Sequence, residues 1–406
     1  MSNPILDNVD IIPAQHNGET IYYLKDIEIG SNKLIPLTQL GLYIISHFDG
    51  NYSTEQIQKL IDDRINLKVD LNDINSLVNL LDENYLLINQ RSKTHKNKLE
   101  KEYLESYIRP SAHAGHSYPD NKDELNDLIE NFYKNAGLNL KNRTKGRKVK
   151  GIISPHIDFN RGGKSFSKAY YELSDSTADT FLIFGTSHYP KTNNPFILTK
   201  KPFNTPYGTV DISEEFINEL EKLCDWDIFD GEISHKNEHS LEFQIVFLQH
   251  LFKNEKEIKI IPVLCNSYHD FVQDGKSPYS DYKISKFLQN IRHLIKISAT
   301  EICMIAGVDM AHVGKKFGDN IEINNEILEW IEKEDKDCLN HVKNIDPDSF
   351  YNSIEKNKDN RKICGLSSIY SMLKTINADN CKILDYDKAL EPDTGSVVTF
   401  ASAVFY

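Results

Sequence analysis

The sequence predicts an α/β fold in two parts. A small winged-helix-like α+β domain spans residues 1–95, a connector spans 96–110, and a larger α/β domain, a three-layer sandwich, spans 111–406. Three observations lead there. Near-continuous apolar runs at 149–154, 180–185, 258–264 and 302–308 alternate with helical patterns, as strands of a sheet covered on both faces do. The first 90 or so residues carry their own short strands and apolar helix stripes, enough for a separate module. The full length of 406 residues, 39% of them apolar, is ample for cores of this number and size.

In order along the chain, 22–24 and 33–35 read as short strands separated by the turn signal Gly30-Ser31-Asn32. Residues 38–48 have mixed helical spacing, broken by Asp49-Gly50-Asn51. Ser53 or Thr54 caps a helix with Gln56 behind it and Ile57, Leu60 and Ile61 on one face. Residues 70–84 repeat the form with Ile74, Leu77, Leu80 and Leu81, and 85–89 close the module as a strand. The charged stretch 91–110 is helical in its middle. A basic cluster (Lys141, Arg143, Lys145, Arg147, Lys148, Lys150) precedes the first strand of the larger domain and reads as a solvated loop or a dock for an acidic partner. Beyond it, Gly162-Gly163 opens a helix to Tyr171, further helices are expected at 238–252, 282–297 and 321–334, and 396–406 ends the chain as a long strand.

Composition excludes several classes. Lys and Arg total 47 against 60 Asp and Glu, a net charge of −13, so no nucleic-acid surface is expected. The longest apolar run, 397–406, is too short to span a bilayer, and the first ten residues lack the pattern of a secretory signal. Six scattered cysteines without a CxxC pair favour a reducing, cytoplasmic setting.

Four segments carry metal-competent side chains, three of them directly behind apolar strands: Pro155-His156-Ile157-Asp158, Gly185-Thr186-Ser187-His188, Asp309-Met310-Ala311-His312 and Arg361-Lys362-Ile363-Cys364-Gly365. Ligand sites in α/β sheets gather at the carboxyl ends of strands. A lone histidine there is usually a satisfied loop residue, whereas three at equivalent ends also fit a shared metal or catalytic site. Glu238-His239-Ser240-Leu241-Glu242 adds a histidine that shares a helix face with Glu242 at i, i+3; it is not HExxH, and it also reads as a capped helix start. The stretch 158–165 is no phosphate loop, because Asp158 stands where glycine is needed. Thr205 and Tyr207, in a turn with Pro206 and Gly208, read as loop architecture.

Two resemblances add to this. The run HFDGNYSTEQIQKLIDD (47–63) followed by VDLNDINSLVNLLDENYLLIN (69–89) is similar to PqqD-like domains, which hold leader peptides for radical-SAM modification enzymes; it implies a peptide or protein partner. The segments HAGHSYP (113–119), PHIDFNRGG (155–163), GTSHYP (185–190), TPYGTVDI (205–212), EHSLEFQ (238–244), IIPVLC (260–265), DMAHVGKKFGD (309–319) and ICGLSSIYSML (363–373) occur in the order found in the Memo family. That family includes the AmmeMemoRadiSam system protein B group and shares the fold of the extradiol dioxygenases that use non-haem iron.

This second resemblance implies metal ligands at His156, His188 and Cys364, with Asp309, His312 and His239 as catalytic residues lining the same pocket and His113 near it. Here the HAG loop lacks the usual tryptophan, and Asp158 and Arg161 alter the rim. Two imidazoles and a thiolate leave open positions, Fe(II) or Cu(I) tolerates such a set, and thiolate softness favours copper, iron or zinc over magnesium; iron or copper is the expected metal, zinc less so. The implied function is a redox protein with a mononuclear metal, acting with a radical-SAM protein on a small molecule the sequence does not name; the competing reading is a binding module that uses the same cleft. Asp309, beside His312, is expected to favour its imidazolium and make it a proton donor.

Overall fold

A computed structural model describes residues 3–16, 19–26, 34–142, 148–253 and 255–406. The chain divides into two units, Met1–Ser106 and Tyr107–Tyr406, a break inside the expected connector. The Gly30-Ser31-Asn32 turn, and Arg143, Lys145 and Arg147 of the basic cluster, lie outside the described residues.

In the first unit, β1 (Val9–His16), β2 (Glu19–Asp26) and β3 (Ile35–Leu37) form an antiparallel sheet in that order. It is followed by α1 (Gln39–Ile45), α2 (Thr54–Ile65), α3 (Leu71–Glu83) and α4 (Gln90–Glu105). Ser53 and Gln56 close a capping box on α2, and Asp70 caps α3. Leu24, Ile44, Ile57, Ile61, Ile74 and Leu81 are buried in a core of the unit's own, whereas Leu80 is exposed. The expected strand at 85–89 does not form. Tyr85 takes a left-handed φ of 61°, which breaks the extended run, and Asn89 is spent capping α4; a single bridge, Leu6 to Leu87, remains.

The second unit begins with α5 (Lys122–Asn135), β4 (Gly151–Ser154), α6 (Phe159–Leu173), β5 (Thr180–Thr186), β6 (Phe196–Leu198), β7 (Phe203–Thr205) and β8 (Gly208–Ile212). Then come α7 (Glu214–Leu223), α8 (His239–Phe252), β9 (Lys259–Cys265), α9 (His269–Asp274), α10 (Tyr282–Ile297), β10 (Ile302–Gly307) and β11 (His312–Gly314). The last elements are α11 (Asn325–Lys343), α12 (Pro347–Glu355), α13 (Leu366–Thr375), β12 (Cys381–Glu391) and β13 (Ser396–Phe405). The expected helix at 321–334 starts later because Asn324 caps it.

These strands build one ten-stranded mixed sheet. Its centre, β4-β10-β5-β9, is parallel, and β13 joins β4 antiparallel. Every residue of β4, β5 and β10 is buried, which is why those stretches read as unbroken apolar runs. Gly307 turns the place of its missing side chain toward Ser240 and Gln244 of α8, while Met304, three residues earlier, receives the Thr375 hydroxyl from α13. Side chains alternate along a strand, so α8 and α13 cover opposite faces. Among the described residues, no helix is long and apolar enough to cross a membrane.

Candidate metal centre

Three neighbouring strands deliver their next residues to one place. His156 lies two residues beyond β4, His188 two beyond β5 and Asp309 two beyond β10, and β10 pairs with both of the others. α8 opens on His239, with Glu238 as its cap. The His156, His188 and His239 rings stand 4.9, 5.0 and 4.6 Å apart, centre to centre. One nitrogen of each lies within 4.8 Å of the other two, a group that could hold a metal ion.

Hydrogen bonds set which nitrogens face inward. Nδ1 of His156 is 3.1 Å from the Gly307 carbonyl, which can only accept, so the proton sits there and Nε2 keeps its lone pair. Glu238 does the same for His188: Oε1 accepts from Nδ1 at 2.9 Å and Oε2 from the His188 backbone N–H at 2.9 Å. Its Oε1 also accepts from Ser240 N at 3.0 Å and lies 3.3 Å from His239 Nδ1. Histidines that bind metals are oriented by partners of this kind. The His156 side chain is 2% exposed, His188 26% and His239 30%, so the cluster has a buried floor and an open side.

Cys364 lies in the turn before α13, its Sγ 3.2 Å from His156 Nε2. Gly365 permits that approach, since a Cβ there would stand 2.6 Å from the Asp309 carbonyl oxygen. Burial first, and then Asp309, pushes the Cys364 thiol well above its ordinary range, so it donates to His156 when no cation is present. Burial also drives His239 down to about 3 and holds His156 well below the usual value. Burial opposes the charged form of His188 too, but the Glu238 carboxylate outweighs it and raises this one histidine.

The expectation for Asp309 and His312 needs correcting. The Asp309 carboxylate accepts from the backbone N–H groups of His156 and Ile157, at 3.0 and 3.2 Å, and its Oδ2 lies 3.7 Å from His156 Nε2. Burial lifts Asp309 to about 7 and lowers His312 to about 4. His312 Nδ1 lies 3.1 Å from Met310 O, and the Lys362 carbonyl also favours a proton on the ring, though burial outweighs both. Burial therefore favours the neutral form of both groups, the reverse of an imidazolium held by a carboxylate.

Residues 109–404 match the family model described as Memo-like protein. The chain belongs to the Memo family. A MEMO1 family protein of Aquifex aeolicus is 29% identical over 368 residues, 90% of this chain and 91% of its own length. Another, of Methanocaldococcus jannaschii, is 30% identical over 309 residues, 73% of this chain and 98% of its own length. The Aquifex likeness is too long for the second unit alone and reaches into the first.

Within the Memo region the structure gathers His156, His188, His239, Cys364 and Asp309. His239, expected as a catalytic residue, stands in the three-imidazole group itself. His113 is a neighbour, its ring 5.8 Å from that of His239 and its Nε2 bonded to Asn237 O at 2.9 Å. Sequence reasoning missed Arg109. Fully buried, it pairs with Glu242 and donates to the Glu238 carbonyl at 2.9 Å, beneath the carboxylate that aligns His188. Glu242, noted only for sharing a helix face with His239, also accepts from the backbone of Ala112 and His113 and from Tyr118. Asp158 caps α6 and pairs with Arg161, which also meets Glu391.

Proposed function

We propose that this Memo protein is a metal-dependent redox protein whose sheet and site correspond to those of the extradiol dioxygenases of the non-haem iron type. A single iron or copper ion is held by His156, His188 and Cys364. The observation that carries the reading is the convergence of inward-facing Nε2 atoms with the Cys364 thiol 3.2 Å from one of them. The donors fit: a cation takes the place of the thiol proton, and sulfur with neutral imidazole suits copper, iron or zinc over magnesium, of which iron and copper are redox-active. Such an ion supplies electron transfer and oxygen chemistry when bound.

The chain's own groups do the rest. Glu238 keeps the His188 proton on Nδ1. Asp309 carries a proton beside His156, and the neutral His312 ring accepts one. His239 lines the open side, where a small substrate enters. The first unit, PqqD-like, engages a peptide or protein of a radical-SAM modification system. Six unpaired cysteines agree with a cytoplasmic setting.

One observation favours a second ligand set. The three mutually close imidazoles are those of His156, His188 and His239, and Cys364 stands outside that group.

Metal analysis of anaerobically purified protein separates these readings. Alanine at His156, His188 or Cys364 removes iron or copper while His239→Ala keeps it, if the thiolate set is right. Loss in His239→Ala with retention in Cys364→Ala selects the imidazole set. Full metal content in all four variants overturns the metal reading and leaves the cleft as a binding module.

A further inference from the structure

We infer that Asp335 is a positioning residue for this centre, holding both the segment that carries Cys364 and the segment that carries Asp309 and His312. Its functional meaning rests on the proposed metal role of Cys364. Asp335 belongs to α11, touches none of the candidate ligands and has no exposed surface. Its carboxylate is fully engaged. Oδ1 pairs with Arg361, and Oδ2 accepts from Thr399 Oγ1 at 2.5 Å and Tyr386 OH at 2.9 Å.

Two of these partners lead directly to the site. The Arg361 carbonyl accepts the His312 backbone N–H at 2.7 Å, and Cys364 follows three residues later. The Thr399 hydroxyl, while donating to Asp335, accepts from Ala311 N at 2.9 Å, and the Thr399 carbonyl accepts from Met310 N at 2.8 Å. One carboxylate thus ties together two loops that leave different elements.

The loop before Cys364 needs such a tie. Lys358, Asp359 and Lys362 hold left-handed φ angles of 53°, 48° and 51°. Residues with a Cβ persist there only where surrounding contacts over-determine the backbone. The buried guanidinium of Arg361, with its second arm on Cys338 Sγ at 3.2 Å and Asp335 as its counter-charge, is one such constraint, beside the Asp359 carboxylate that accepts from Ile363 N at 2.9 Å and the Lys362–Asp319 pair. Buried pairs are often retained for the conformation they select more than for net stability.

The test uses full-length protein with Asp335→Asn, and Tyr386→Phe as a control that removes only the partner leading away from the site. In metal-free protein, Asp335→Asn is expected to change the alkylation rate of Cys364, followed on its own peptide, by about tenfold or more, and to weaken Co2+ binding by about 10–100-fold, with cooperative unfolding kept. Tyr386→Phe leaves both near wild type. Wild-type rate and affinity in a folded Asp335→Asn overturn the inference. Should that variant not fold, Thr399→Val and Arg361→Lys each break one arm, and wild-type Cys364 reactivity in both overturns it. A thiolate-to-Co2+ absorption band that is missing in wild type, or survives in Cys364→Ala, sinks the ligand reading instead; the alkylation rates still decide the role of Asp335.

Discussion

Glutamine in place of Glu238 changes the metal centre without changing the shape of any side chain. In wild type two donors of His188, its backbone N–H and its Nδ1–H, each face a different oxygen of Glu238 at 2.9 Å. Glutamine offers one oxygen and one NH2. If the oxygen stays with the backbone, the NH2 faces Nδ1, which must then accept, and the ring proton moves to Nε2, where it blocks a metal. If the amide flips, the backbone N–H meets an NH2 and loses its partner. A hydrogen bond to a charged group contributes about 1.5–3 kcal/mol. Loss of a ligand-orienting partner costs about 10–100-fold in metal affinity, or about 1.4–2.8 kcal/mol, so two routes agree. The cap on Ser240 N uses the same oxygen as His188 Nδ1, so it survives only in the flipped amide; the first arrangement loses it, which costs the fold about 1 kcal/mol. The assay is titration of metal-free protein with Co2+ against a competing chelator, with a melting curve beside it. Wild-type affinity in a folded Glu238→Gln would refute the tautomer argument.

Other outcomes follow from the same structure. Gly365→Ala places a methyl 2.6 Å from the Asp309 carbonyl oxygen and 2.8 Å from Val308 Cβ; it should destabilise by about 1–3 kcal/mol and weaken metal binding, and an unchanged melting temperature would contradict the contact. Burial holds His235, His239 and His250 at about 3 and His312 at about 4, below their unfolded value of 6.5. The unfolded chain binds these protons first as pH falls, and the lowered His113 and His156 add to them, so metal-free stability should decline from about pH 6.5 toward 4; the raised His188, Asp309, Asp335 and Asp359 act the other way but are fewer, and calorimetry showing a rise would reverse the sign. Ser53→Ala removes half of the α2 capping box and should cost the first unit about 1 kcal/mol, read as a lower melting point of residues 1–106 expressed alone; failure of that fragment to unfold cooperatively would deny it an independent core.

The parallel strands were legible because burial on both faces leaves an unbroken apolar run, and the motifs behind them were legible because they start where such runs stop. β6, β7 and β11 have three residues each, too few to show a period. α13 buries Ser367, Ser368 and Ser371 along with its apolar residues, so its polar side does not mark a solvent face. His156 and His188 could be placed together from strand ends alone. His239 could be put on a helix face but not at the cluster, since spacing along α8 says nothing of what the helix packs on. The charge states of Asp309 and His312 were read the wrong way round because adjacency in sequence suggests a pair, while in the fold backbone N–H groups take the carboxylate and burial governs the ring. Arg361 and Asp335 are 26 residues apart, and no pattern in the chain links them.

The two glycines under the first turn of α8 act as a depth stop. A Cβ on Gly185 would meet the Ser240 hydroxyl at 2.6 Å, and one on Gly307 the Ser240 backbone oxygen at 2.5 Å. With both positions bare, the helix settles low enough for its first residue, His239, to come level with imidazoles that rise from the strands beneath. The height of the third ring therefore depends on absent carbon on β5 and β10, and the Ser240 hydroxyl then donates to Thr186 O at 2.8 Å. A methyl group at either place would lift that ring away from the other two, so the affinity of the centre can be altered from inside the sheet.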